Sequence, residues 1–195
     1  MLKLPFPLIL ASRSPRRKEI LEKAGLDFTV IPSDYEEPRH SDHLSDPKAF
    51  VEEIALQKGK EVFERMGKKC LVLSADTIGV IEDTVLEKPR DREDAKRMLK
   101  LMSGRKHVVL TAIALFAPHE ENPVQETVST EVFFRALEEG EIEHYLDVAE
   151  YQDKAAAYAI QGEAAIFVEK IIGDYLNIVG LPLVTVWKML GKISP

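Results

Sequence analysis

Two periods of apolar spacing alternate along the chain. Residues 8–11 form a continuous apolar run that passes directly into a helical pattern, with Ser14 placed as N-cap, Pro15 at the first helical position and Gly25 as terminator. Residues 28–31 read as a second strand, and 33–46 as a long polar loop rich in Asp, Glu, His and Pro. Asp46 and Pro47 then cap a helix to about Met66, on which Phe50, Ile54, Val62 and Met66 recur at four-residue steps and mark a buried stripe. Lys58 falls in the same row, where a purely structural helix carries an aliphatic side chain. Its stem can snorkel to water, so that row also admits a bland reading.

Residues 70–75 are apolar throughout and predict a buried strand that delivers Asp76 and Thr77 at its carboxyl end, where open α/β sheets bind ligands. A hairpin follows, 78–81 and 84–86 joined around Glu82 and Asp83, leading to Glu87, Lys88 and Pro89. Asp91 caps a helix to about Met102, stopped by Gly104, and 108–116 and 127–134 read as long strands on either side of a polar loop. A helix over 138–148, a small-residue segment over 153–162 and a last helix through Leu190 complete an α/β pattern without internal repeats.

Composition narrows the class. A chain of 195 residues with 45% hydrophobic and 30% charged residues suits a single globular domain, residues 1–195, able to bury roughly 70% of its unfolded surface. The net charge of −7 argues against a nucleic-acid surface, so local basic clusters serve a small molecule. A single cysteine, Cys70, lies in an apolar run, which excludes an internal disulfide and suits a reducing, cytoplasmic setting. No apolar run approaches the ~20 residues of a membrane helix.

The junction at residues 12–17 carries the strongest chemical signal. Arg13, Arg16 and Arg17 set planar, permanently charged forks beside the free N–H groups of a helix start, an arrangement suited to polyphosphate. An ordinary cap with solvated arginines is the alternative. Together with Lys58 and Lys88 these arginines face an acidic inventory of Glu36, Glu37, Asp76 and Asp153, and phosphate chemistry needs both charges: cations for the phosphate oxygens, carboxylates for a metal or a proton. P-loop, dinucleotide-binding, nucleophile-elbow and zinc-protease motifs are all absent from the sequence. His40 and His43 in the acidic loop read as solvated surface.

These blocks resemble the Maf family of nucleoside triphosphate pyrophosphatases. Residues 11–17, Ala-Ser-Arg-Ser-Pro-Arg-Arg, are similar to its opening signature, and 74–77, Ser-Ala-Asp-Thr, to its central one. Lys88-Pro89, Ser103-Gly104, Asp153-Lys154 with Ile160-Gln161-Gly162, and Gly173-Asp174-Tyr175 with 179–182 follow in the family's order. The resemblance implies an elongated, two-lobed mixed α/β domain similar to the inosine triphosphatase-like fold, with the nucleotide in a cleft between lobes. It implies cleavage of a nucleoside triphosphate to the monophosphate and pyrophosphate with a divalent cation, Mg²⁺ or Mn²⁺.

By the same resemblance Asp76 accepts the proton of the attacking water, Glu36 and Asp76 hold the metal, and Lys58 and Lys88 act with them in catalysis. Ser12, Arg13, Arg16, Arg17, Thr77 and Gln161 contact substrate. Gln161 marks similarity to the branch acting on dTTP and UTP, with modified pyrimidine nucleotides as further candidates; the 7-methyl-GTP branch has an acidic residue there. A glutamine amide pairs with the O4 and N3–H edge of uracil or thymine and mismatches cytosine. A small-molecule substrate is expected, with no nucleic acid or membrane partner and with a homodimer compatible. A nucleotide-binding regulator of cell division without turnover is the alternative function.

The chain departs from the family pattern in having Ala156 and Ala159 at two customary glycine positions and Glu87 at a third. At a position requiring positive φ, the alanine methyl adds strain on the order of 1 kcal/mol.

Overall fold

The structure, a computed structural model, describes residues 3–38 and 46–193; His40, His43 and part of the acidic loop lie outside the described residues. In chain order the elements are β1 (Leu8–Leu10), α1 (Pro15–Lys23), β2 (Thr29–Val30), α2 (Pro47–Arg65), β3 (Leu71–Ile81), β4 (Thr84–Leu86), α3 (Arg92–Met102), β5 (Lys106–Phe116), β6 (Val124–Phe134), α4 (Glu139–Val148), β7 (Val168–Ile172), α5 (Tyr175–Val179) and α6 (Leu183–Ile193). Two 3₁₀ turns, Ala155–Ala157 and Glu163–Phe167, lie between α4 and β7.

The strands form one seven-stranded mixed sheet in the order β2-β1-β3-β5-β6-β7, with β4 also on β3. β1 runs parallel to β2 and to β3, with Leu8 opposite Leu71 and Leu10 opposite Leu73. The α/β class expected from the sequence is the class observed.

Local chemistry explains the helix ends nearest the site. Ser14 Oγ accepts the Arg17 N–H at 3.4 Å, Pro15 starts α1, and Gly25 takes up φ 69°, which lets its N–H reach the Glu22 carbonyl at 2.9 Å. Asp46 Oδ1 accepts the Lys48 N–H at 2.9 Å at the start of α2. Met66, expected in the buried stripe, is instead the C-cap of α2 and 37% exposed, because the helix stops one residue earlier and the chain leaves the stripe.

A second correction concerns β3. Asp76 and Thr77 do not close a strand. They lie inside one that continues to Ile81, kept extended by its antiparallel partner β4, in which Gly79 faces Leu86 and Ile81 faces Thr84. Asp76 is nevertheless past the parallel ladder, since β1 leaves β3 at Leu73, whose carbonyl accepts the Ala11 N–H at 2.8 Å. β7 and α5 carry no clear periodicity: β7 is a largely exposed edge strand and α5 has five residues.

The described chain divides into two compact units. The first comprises residues up to Asp76, Thr111–Val128 and the stretch from Gly180 onward; the second comprises Thr77–Leu110 and Ser129–Val179. In the first, Ile9, Val62, Phe63, Val72, Ala114 and Phe116 pack together, with the Phe63 and Phe116 rings 5.4 Å apart. No helix among the described residues is long and apolar enough to cross a membrane.

The second unit has its own core, in which Met98, Leu99 and Met102 of α3 meet Ile142, Tyr145 and Leu146 of α4. His107 is buried there between the edges of Phe134 and Tyr158, with ring centroids 4.9 and 5.4 Å away, and its Nε2 is 2.9 Å from the Tyr158 hydroxyl. Its Nδ1 has no hydrogen-bond partner among the described residues, and burial lowers its pKa to about 4. The folded state therefore binds fewer protons than the unfolded chain between about pH 6.5 and 4, so this contribution is complete above that window and lost as pH falls through it. The loss approaches about 3 kcal/mol. Urea unfolding at pH 7 and pH 4.5 should show it, with a flatter profile for His107→Gln; a wild-type stability that is flat between these values would contradict the assignment.

The 153–162 segment answers the question posed by its alanines. Ala156 sits at φ 57° and Ala157 at φ 60°, both left-handed, whereas Ala159 is not among the described residues with positive φ. A Cβ at Gly79 would lie 2.7 Å from the Ala156 methyl, so the two small residues depend on one another. Ala159→Gly should cost about 1 kcal/mol through lost burial and chain entropy. In Ala156→Gly the relief of about 1–2 kcal/mol of strain offsets that cost, leaving it near neutral. Thermal melts of the two variants provide the comparison.

Candidate active site

The site is assembled from a helix that packs close enough to a strand for one lysine to reach it. Ser74 Oγ of β3 donates to the Ala55 carbonyl of α2 at 2.6 Å. One turn further along α2, Gly59 has no side chain, and a Cβ there would run into the Phe116 ring and Ser74 Oγ. Glycine in mid-helix is unfavourable by about 1 kcal/mol, and here it permits the close approach. Lys58, the residue before it, is thereby set beside Asp76.

The lysine is held from two sides. Its Nζ lies 2.7 Å from Asp76 Oδ1 and 2.7 Å from Glu37 Oε1, with only 13% of the Lys58 and Asp76 side chains exposed. The stem does not snorkel to open solvent; the ammonium ends in a carboxylate pair. Glu37 is the acid that the structure brings to Lys58, and both it and its neighbour Glu36 line a pocket of about 400 Å³ with Tyr35, Phe50 and Ile54. The pair Glu36-Glu37 carries no signal in the sequence that says which one turns toward the lysine.

That loop is tied to α2. Glu61 Oε2 accepts the Ser33 hydroxyl at 2.9 Å and the Asp34 N–H at 3.1 Å, and Arg65 donates to the Pro32 carbonyl at 2.6 Å and to Asp34 at 2.5 Å. Spacing along the chain gave no sign of this contact, because it joins a loop to the polar face of a helix about thirty residues on.

The arginines divide into three environments. Arg17 is buried; its Nε donates to the Gly180 carbonyl at 2.8 Å and its Nη1 to Ser12 Oγ at 3.3 Å. Burial lowers its pKa, with Arg16 adding to the effect and the charges of Asp76 and Glu37 opposing it. Ser12 is buried too, its Oγ also accepting the Ser14 N–H at 3.1 Å. Arg16 is half-buried in the first turn of α1, and Arg13 is exposed, 3.2 Å from Asp34.

Three expected site residues belong to the second unit. Thr77 follows Asp76 in β3 and is half-buried, Lys88 is exposed beyond β4, and Gln161 is exposed between the two 3₁₀ turns. Glu87, which precedes Lys88, uses its carbonyl to accept the Ala156 N–H at 3.1 Å. Asp153 is exposed with φ 58°.

Among the described residues no three His, Cys, Asp or Glu side chains gather as a ready-made metal cage. Asp76 and Glu37 are two carboxylates converging on one point, the number a hard cation such as Mg²⁺ takes when phosphate oxygens and water fill its other positions. The donor set fits such an ion bound together with a phosphate ligand.

The Maf-like protein family matches this chain over residues 7–193. The chain belongs to the Maf family. Relatives of this Maf protein include the dTTP/UTP pyrophosphatase of Thermoanaerobacter sp. (strain X514), 44% identical over 185 residues that cover 95% of each chain. The dTTP/UTP pyrophosphatase of Thermococcus kodakarensis is 45% identical over 182 residues, 93% of this chain and 94% of that one. Among solved structures, a nucleoside-triphosphatase, dITP/XTP pyrophosphatase, from Mycobacterium abscessus overlaps 66% of the Maf chain and 72% of its own with a TM-score of 0.44 and 18% identity.

Proposed function

We propose that this Maf protein hydrolyses nucleoside triphosphates to the monophosphate and pyrophosphate, with dTTP and UTP as its substrates. The observation that carries the reading is the Lys58 ammonium held 2.7 Å from both Asp76 and Glu37, in the unit that also presents the arginine-rich start of α1. Such a cluster supplies what the reaction needs, a carboxylate to take a proton and fixed cations for the phosphate charge. The relatives named dTTP/UTP pyrophosphatase support the same substrates.

In this mechanism water attacks the α-phosphorus, its proton passes to Asp76, and the bond from the α-phosphorus to the bridging oxygen breaks, so that pyrophosphate leaves with the bond's electron pair. Lys58 orients Asp76 in the free enzyme and meets phosphate oxygens when substrate is bound. Arg16 and Lys88 add charge to the phosphates. Arg17 and Ser12, paired at 3.3 Å, stiffen the chain between β1 and α1 and present the helix start. A divalent cation, Mg²⁺ or Mn²⁺, held by Asp76 with Glu37 or Glu36, would neutralise phosphate charge as substrate reacts. Gln161 reads the O4 and N3–H edge of the base, with Thr77 and Arg16 as further selectivity positions.

A panel of UTP, dTTP, CTP and modified pyrimidine triphosphates with Mg²⁺, assayed separately for pyrophosphate and orthophosphate, tests the proposal. Pyrophosphate should be released, with UTP and dTTP preferred over CTP by about tenfold or more. Orthophosphate as the product would overturn the reaction, and equal rates for the three common bases would overturn the base assignment.

A further inference from the structure

We infer that Glu150 is a positioning residue for Gln161, and through it sets base selectivity; the inference rests on the reading of Gln161 as the residue that meets the base. Glu150 follows the end of α4, where Ala149 closes the helix at φ 58° with its N–H on the Leu146 carbonyl at 3.2 Å. From there its carboxylate reaches across to the residues that flank Gln161. Glu150 Oε2 accepts the Glu163 N–H at 2.9 Å. On the near side the same carboxylate lies so close against Gly162 that a Cβ built at 162 would fall directly on it.

The segment is a pair of tight turns, Gly162 N–H to the Ala159 carbonyl at 3.0 Å and Ala165 N–H to the Gly162 carbonyl at 3.0 Å. Gln161 sits in the first of them and is itself exposed. An exposed side chain on a turn reads a base with fidelity only if its backbone is fixed, and the tie from Glu150 is a charge-assisted hydrogen bond from outside the segment. The glycine at 162 then has a specific cause: it leaves room for the carboxylate that holds the turn. Its φ is −107°, so left-handed geometry does not require it.

The test compares Glu150→Ala, Glu150→Gln and, in parallel, Gln161→Ala, measuring kcat and KM for UTP and CTP together with hydrogen exchange of the 161–165 amides. In Glu150→Ala the Glu163 amide should exchange faster and KM for UTP should rise roughly tenfold while kcat changes little. CTP kinetics should stay put, so the UTP to CTP ratio of kcat/KM falls. Glu150→Gln keeps an oxygen that accepts the Glu163 N–H and should recover most of the ratio.

Unchanged exchange at Glu163, or an equal fall for UTP and CTP, would assign Glu150 a merely structural role and overturn the inference. If Gln161→Ala collapses the ratio and Glu150→Ala leaves it intact, the inference alone fails. If Gln161→Ala leaves the ratio intact, the reading of Gln161 fails, and the inference with it.

Discussion

Replacing Asp76 with Asn should lower kcat for pyrophosphate release by about 10²–10⁴-fold, the range expected when a positioned general base is removed. The amide keeps the size of the side chain and an oxygen toward Lys58, which approaches within 2.7 Å, so the fold should be preserved. KM for UTP should move far less than kcat. Single-turnover kinetics beside equilibrium binding of a non-hydrolysable UTP analogue separate the two. Retained binding with lost hydrolysis supports catalysis by Asp76; full activity in the variant would remove Asp76 from the mechanism, and a wild-type protein that binds UTP without turnover would favour a nucleotide-binding regulator.

Lys58→Met should be the next most damaging change. Methionine preserves the apolar stem among the α2 neighbours but leaves Asp76 and Glu37 facing each other without the cation now shared between them. Loss of a fixed electrostatic group at a phosphoryl site costs on the order of 10²–10³-fold in rate. Stability should fall as well, by about 2 kcal/mol, less than for a fully buried pair because the Glu37 side chain is 42% exposed. Pyrophosphate release and urea unfolding on one preparation measure both. A variant that turned over normally would show that Lys58 merely neutralises its neighbours.

Much of the site could be read from residue order because its strongest elements are local. Ser14, Pro15 and the adjoining arginines lie within one helical turn, and capping chemistry acts over that distance. Lys58 stood out because helical periodicity assigns each position a face, and a charge on the apolar face is an exception that needs a partner. Asp76 is legible as a carboxylate after an apolar run, but the end of that run is not the end of the strand, since an acidic residue interrupts hydrophobicity without interrupting extended backbone.

Contacts between distant segments stayed hidden. The choice of Glu37 over its neighbour for Lys58, the ties from Glu61 and Arg65 to the 32–34 backbone and the seat of Glu150 on Gly162 all join parts of the chain that no period relates. β7 escaped because a short edge strand with adjacent charges does not alternate.

Gly59 gives Lys58 an unusual kind of support. Its backbone meets the sheet with no methyl in between, so the ammonium is located by the seating of an entire cylinder of backbone rather than by the torsions of one flexible stem. A heavier residue at 59 would tilt that cylinder outward and withdraw the charge from its acids while leaving every polar group of the centre intact. Damage of that kind would show as a silent, folded protein whose defect lies a full residue away from anything ionic.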